Sequence, residues 1–181
     1  MKNILFLSAF FVLSFGAKAQ PLEYSQVFHV DSTLTNDELF SRARAWFVEY
    51  YKDANTVLQV SDREEGELIG APMFNFDYNV FLSAFVAHIT YRVSVHVRDG
   101  RYKVKIYQIN NAETTQVAGS HRLTGYGELT TKFVDGKSGV GTYMNEKKYG
   151  ELLVQTNQMA KDIFISLFTK MKEPISADED W

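Results

Sequence analysis

The stretch from Phe85 to Ile109 alternates apolar and polar residues with the period of an extended chain, and it reads as a β-hairpin with one wet face. Ala87, Ile89, Tyr91, Val93, Val95 and Val97 fall on one side, and His88, Thr90, Arg92, Ser94, His96 and Arg98 fall on the other. Asp99-Gly100 then supplies a two-residue turn that tolerates positive φ. Tyr102, Val104 and Ile106 return on the apolar face, while Lys103 and Lys105 return on the polar one. Such a turn pairs Val97 with Tyr102, Val95 with Val104 and Val93 with Ile106. A slip of one residue would turn the whole apolar set toward water, so pattern and turn fix one register. The sheet built on this hairpin is expected to bury one face and wet the other.

A half-buried sheet needs a second layer, and two helical patterns provide it. Thr35-Asn36-Asp37-Glu38 carries the capping-box signature, a Thr with Glu three residues on. Leu39, Ala43, Trp46, Phe47 and Tyr50 follow at three- and four-residue steps, up to an end near Lys52-Asp53-Ala54-Asn55. Asn145 caps a second, longer helix whose stripe includes Tyr149, Leu152, Leu153, Met159, Ile163, Phe164, Leu167, Phe168 and Met171, with Pro174 as its stop. Further strands are expected at Tyr24 to Val30, Val57 to Val60 and Glu67 to Phe76, the last two separated by the polar turn from Ser61 to Gly66. Residues 111–144 hold six of the eleven glycines and are expected to form an irregular insertion, ordered at most as a short hairpin of 122–130 with 131–134. The order is β-α-β-β-β-β-α. It predicts an α+β, two-layer domain over 20–173, with two helices on one face of an antiparallel sheet and a mobile acidic tail at 174–181.

Ahead of this domain lie Lys2, an apolar block from Ile4 to Phe15, and Ala17-Lys18-Ala19. A basic end, a short apolar core and a small-x-small exit make a secretory signal peptide, expected to be cleaved between Ala19 and Gln20. The block is too short for a permanent span. Export to a periplasmic or secreted location removes nucleotide cofactors and genomic DNA from consideration, so no nucleic acid is expected as a partner. Loss of Lys2 and Lys18 takes the formal net charge from −3 to −5, so any basic site must be a local patch. The chain has no cysteine, which excludes thiol catalysis, a lipidated cysteine and Cys-type zinc sites.

Thr35 to Phe47, the segment from Val60 to Gly70 and the hairpin with its Asp99-Gly100-Arg101-Tyr102 core resemble domain-of-unknown-function family 4468, found mostly in exported proteins of Bacteroidetes-type bacteria. The resemblance implies a TATA-binding-protein-like fold and an exported setting. It carries no activity and no catalytic residues, and fold likeness to a DNA-binding protein is not itself a sign of DNA binding.

Candidate chemistry is sparse. Gly136-Lys137-Ser138 resembles the end of a phosphate loop, but the glycine required five residues earlier is Thr131. His88 and His96 share a face, yet eight strand residues hold them about 26 Å apart, too far to share an ion. His29 and His121 stand alone, and Glu64-Glu65 on a turn are expected to point apart and stay solvated. No catalytic residue, metal or cofactor is predicted. Two surfaces remain. Arg92, His96, Arg98, Arg101, Lys103 and Lys105 form a candidate binding face on the wet side of the hairpin, which pairs Arg98 with Arg101, His96 with Lys103, Ser94 with Lys105 and Arg92 with Tyr107. Its bland alternative is a solvated face whose bases pair with acids such as Glu67 on neighbouring strands. Phe74, Phe76, Tyr78 and Phe81 are a candidate pocket rim if Asp77 to Ser83 is a loop; the alternative is a loop folded onto the core.

These features predict a non-catalytic binding or assembly module of the cell envelope, with an anionic envelope component or a protein as its partner. A carrier of small apolar ligands, with its pocket near residues 74–85, is the second expectation. An envelope hydrolase using residues such as His121 and Asp135 is the third.

Overall fold

The computed structural model describes residues 19–52, 54–135 and 144–173. The leader, Gly136-Lys137-Ser138, Pro174 and the tail lie outside the described residues. In chain order the elements are β1 (Tyr24–His29), α1 (Asn36–Tyr51), a helical turn α2 (Ala54–Val57), β2 (Leu58–Asp62), β3 (Glu67–Gly70), β4 (Met73–Val80), β5 (Ser83–Arg98), β6 (Arg101–Gln116), β7 (His121–Glu128) and α3 (Glu146–Lys172). The predicted hairpin is the spine of a seven-stranded antiparallel sheet. Toward its Asp99-Gly100 turn the order is β1-β6-β5-β3-β2, and toward its other end β4 pairs with β5 and β7 with β6. The predicted pairs Val97–Tyr102, Val95–Val104 and Val93–Ile106 all form. All six predicted apolar positions of β5, from Ala87 to Val97, are buried.

Both helices form as their caps prescribe. Thr35 accepts from the Glu38 amide, and the Glu38 carboxylate accepts from the Thr35 amide. Asn145 accepts from the Lys148 amide. Leu39, Phe40, Ala43, Trp46 and Phe47 of α1 and Tyr149, Leu152, Ile163, Leu167 and Met171 of α3 complete one core with the buried face of the sheet. The helices also touch each other, with the Trp46 indole N–H donating to Ser166 Oγ at 3.0 Å. Arg42 donates to the Met171 carbonyl at 2.6 Å, a cation on the last turn of α3 that suits the negative end of the helix dipole. Phe47 lies so close to Gly70 that a Cβ there would stand 2.6 Å from the ring, so α1 seats on β3 only because that residue has no side chain.

The turn of the hairpin reaches past its own strands. Gly100 holds φ at +66°, and its backbone bonds Val30 and Leu34. The Asp99 carboxylate accepts from the amide of Asn36 at 2.7 Å, placing an anion at the first turn of α1.

Four expectations are corrected. Residues 111–144 are not an irregular insertion throughout, because β6 continues to Gln116 and β7 follows on its free edge. No hairpin of 122–130 with 131–134 forms; β7 pairs with β6 alone. The segment after β7 is pinned by side chains instead, with the Tyr149 hydroxyl bonding both backbone groups of Thr130 and the Tyr126 hydroxyl bonding both of Val134. Asp77 to Ser83 is not a loop, since β4 runs to Val80 and a two-residue turn at Phe81-Leu82 leads directly into β5. The single extended piece over 67–76 breaks at Ala71-Pro72 into β3 and β4, which pair with different halves of β5.

Candidate binding face

The helices cover one face of the sheet, and the cations of the hairpin stand on the other. All four predicted outward pairings hold: Arg98 with Arg101, His96 with Lys103, Ser94 with Lys105 and Arg92 with Tyr107. On the flanking strand β1, His29, Val27 and Ser25 lie opposite Arg101, Lys103 and Lys105. On β3, Glu67 and Ile69 lie opposite His96 and Ser94.

The six predicted cationic positions divide by their partners. His96 Nε2 lies 2.7 Å from Glu67 Oε1, the pairing anticipated as the bland alternative. Lys105 bonds Glu23 at 3.0 Å and stands over the ring of Tyr107, and Arg92 donates to Gln59 at 3.1 Å. Among the described residues, Arg98, Arg101 and Lys103 have no carboxylate partner, and all three are exposed. Arg98 and Arg101 face each other directly, and Lys103 is the next outward residue along β6. Like charges so placed repel by a fraction of a kcal/mol per pair, which an incoming anion relieves. His29, opposite Arg101, adds a fourth basic group that the sequence reading left out of the face. Its place depends on β1 joining β6 from far away in the chain, and no local pattern encodes that.

The predicted pocket rim does not assemble. Phe76, Tyr78 and Phe85 stack in series at centroid separations of 5.3 and 5.4 Å and are buried in the core, while Phe74 packs against Tyr91. Tyr78 and Phe85 border a hollow of about 170 Å³ next to Val117, too small for a ligand of ordinary size. Phe81 is turned fully outward. The other single groups are accounted for locally. His88 bonds Asn75 and Thr115 at 3.0 Å each, and Glu64 and Glu65 sit in a turn closed by the Asp62 carboxylate. Among the described residues no three His, Asp or Glu side chains gather as a metal site, and no helix is long and apolar enough to cross a membrane.

Residues 24–111 match the family model described as "Domain of unknown function (DUF4468) with TBP-like fold". Two solved structures share the architecture. A DUF4468 family protein from Bacteroides ovatus superposes with a TM-score of 0.57 at 15% identity, over 86% of this chain and 89% of that one. A TBP-like protein from Parabacteroides distasonis gives 0.61 at 14% identity, over 88% and 98%. At such identities the likeness is one of fold. No curated protein matches the chain. The resemblance drawn from the Thr35–Phe47 helix, the Val60–Gly70 segment and the Asp99-Gly100 hairpin is therefore confirmed: the segment 24–111 matches the DUF4468 family model, and the chain has the TBP-like fold.

Proposed function

We propose that the chain is a non-catalytic binding module of the cell envelope, periplasmic or secreted, that docks an anionic partner on the open face of its sheet. One observation carries this reading: Arg98, Arg101 and Lys103 cluster on the open face of an acidic protein, with no carboxylate among the described residues to neutralise them. Val27, half exposed and opposite Lys103, gives the patch an apolar contact beside its charges. The partner is an acidic protein surface or an anionic envelope component, recognised by charge and therefore sensitive to salt, since such attraction is screened over about 10 Å at 0.1 M ionic strength.

The envelope setting follows from the leader. Intact mass of the exported protein is expected to correspond to a chain beginning at Gln20; a mass retaining residues 1–19 would refute the cleavage. For the face itself, crosslinked capture from the native envelope is the test. Wild type is expected to recover partners that are lost at high salt, and an Arg98→Glu/Arg101→Glu/Lys103→Glu variant is expected to lose those same partners. Because all three side chains point into solvent, the variant keeps its fold, and its unfolding midpoint is the control. Equal recovery by both proteins at equal salt tolerance would reduce the patch to a solvated surface.

A further inference from the structure

The end of the sheet remote from Asp99-Gly100 has the opposite character. There the β4–β5 turn projects Phe81 and Leu82, which are 99% and 104% exposed. The β6–β7 turn lies beside it, tied by the Val117 amide to the Ala84 carbonyl at 2.9 Å, and presents Val117 at 55% exposure. Neither residues 78–84 nor residues 114–120 contain a single Asp, Glu, Lys or Arg, in a chain where such residues make up 23%. Asn79, Ser83, Gln116 and Ser120 collar the apolar tip with uncharged polar groups. Phe81 also holds φ at +52°, at the turn position that ordinarily takes glycine. A bulky residue is disfavoured there, and no packing among the described residues repays it, because the ring is turned wholly to solvent.

We propose that this tip is a lipid-inserting wedge that docks the protein peripherally on a neutral bilayer surface. The occupant follows from size, shape and charge. Three side chains on two convex turns offer a few hundred Å² of apolar surface, well below the roughly 800 Å² per partner that a stable protein interface buries. A bilayer imposes no such threshold, since each apolar side chain enters its acyl boundary independently. The charge-free collar lets the turns approach the headgroups without stripping water from an ion, and the two-residue turn exposes little unpaired backbone. The wedge and the cationic patch lie at opposite ends of β5, about 50 Å apart by strand rise, so a membrane-seated molecule would hold its basic end away from the lipid.

The test uses the mature chain and neutral vesicles of phosphatidylcholine and phosphatidylethanolamine. Cosedimentation is expected at both low and high salt, and a Phe81→Asn/Leu82→Ser variant is expected to lose about a hundredfold in partitioning. Asparagine tolerates the left-handed backbone at position 81, so an unchanged unfolding midpoint shows that folding is intact. A Leu82→Trp reporter is expected to shift its emission to the blue on adding vesicles and to be quenched by brominated acyl chains. The Arg98→Glu/Arg101→Glu/Lys103→Glu variant is expected to bind these vesicles as wild type does, which separates failure of the wedge from failure of the cationic face. Absence of cosedimentation, an unshifted reporter, or loss of a protein partner by the double variant without any vesicle binding by wild type would each overturn the proposal.

Discussion

Val95→Asp is expected to abolish the cooperative folding of this protein. Val95 is fully buried in the last turn-proximal stretch of β5, between Val104 on β6 and Leu68 on β3, both of them also fully buried. A carboxylate there meets no donor and no cation, so it must either ionise in an apolar core or take up a proton, and either route costs several kcal/mol. Domains of this size are stable by roughly 5–15 kcal/mol in total, so the loss is of the same order as the fold itself. His96→Gln, one residue along and on the wet face, gives up a half-exposed contact with Glu67 and should cost less than about 1 kcal/mol. Urea titration followed by circular dichroism distinguishes the two. A sigmoidal transition for Val95→Asp at the His96→Gln midpoint would mean that the faces have been assigned the wrong way round.

Asn111→Leu is expected to destabilise the protein by about 3 kcal/mol despite its matching size. Asn111 is fully buried where β6 slips its register by one residue, between Asn111 and Glu113. Its side-chain oxygen accepts from the Tyr126 amide at 2.5 Å and from the Thr114 hydroxyl at 3.2 Å, while its nitrogen donates to the Glu113 carbonyl at 3.1 Å. Leucine would remove all three of these bonds from a buried setting, where losing a partner costs more than a hydrogen bond is worth at the surface. The neighbouring Asn110, whose amide bonds the Gln108 carbonyl in an exposed setting, supplies the comparison: Asn110→Leu should lose no more than about 1 kcal/mol. Denaturant midpoints at unchanged m-value measure both. Equal losses would show that the bulge is held by its backbone and not by Asn111.

The legible part of this chain is what alternates or caps locally. β5 keeps one parity from Phe85 to Val97, and the Asp99-Gly100 turn hands that parity on to Tyr102, Val104 and Ile106, so the register could be written down in advance. β6 then departs from period two. Two residues of β6, Gln108 and Ile109, separate Tyr107 from Asn110 where one residue of β5, Tyr91, separates Arg92 from Thr90, and a second extra residue falls between Asn111 and Glu113. Gln108, at φ +51°, marks the first of these bulges. Each reverses which residues face inward, and the second half of the strand buries Asn111 and Thr114 where a periodic reading expects apolar side chains. That is why the strand past Ile109 read as irregular, and why β7, whose partner was hidden with it, was assigned to the wrong hairpin. The cationic face was legible for the same local reason as the register. Which of its members are neutralised was not, because Glu23 reaches Lys105 through the β1–β6 pairing. The aromatic run misleads because the strand expected to end at Phe76 continues through Tyr78 to Val80, so that Phe76 and Tyr78 both alternate inward.

The pairing of β1 sets a schedule for the chain as it is made. β5 and β6 are neighbours in time as well as in space, so their hairpin closes within moments of its second strand emerging, by contacts that enclose only a short loop. β1 is made before β6 yet, among the described residues, pairs with β6 alone, with His29 against Arg101 and Tyr24 against Ile106, across loops of roughly 70 to 80 residues. The N-terminal strand is thus an early product with a late destination. Until β6 exists, Val27 and Phe28 travel on a strand that still lacks its sheet partner.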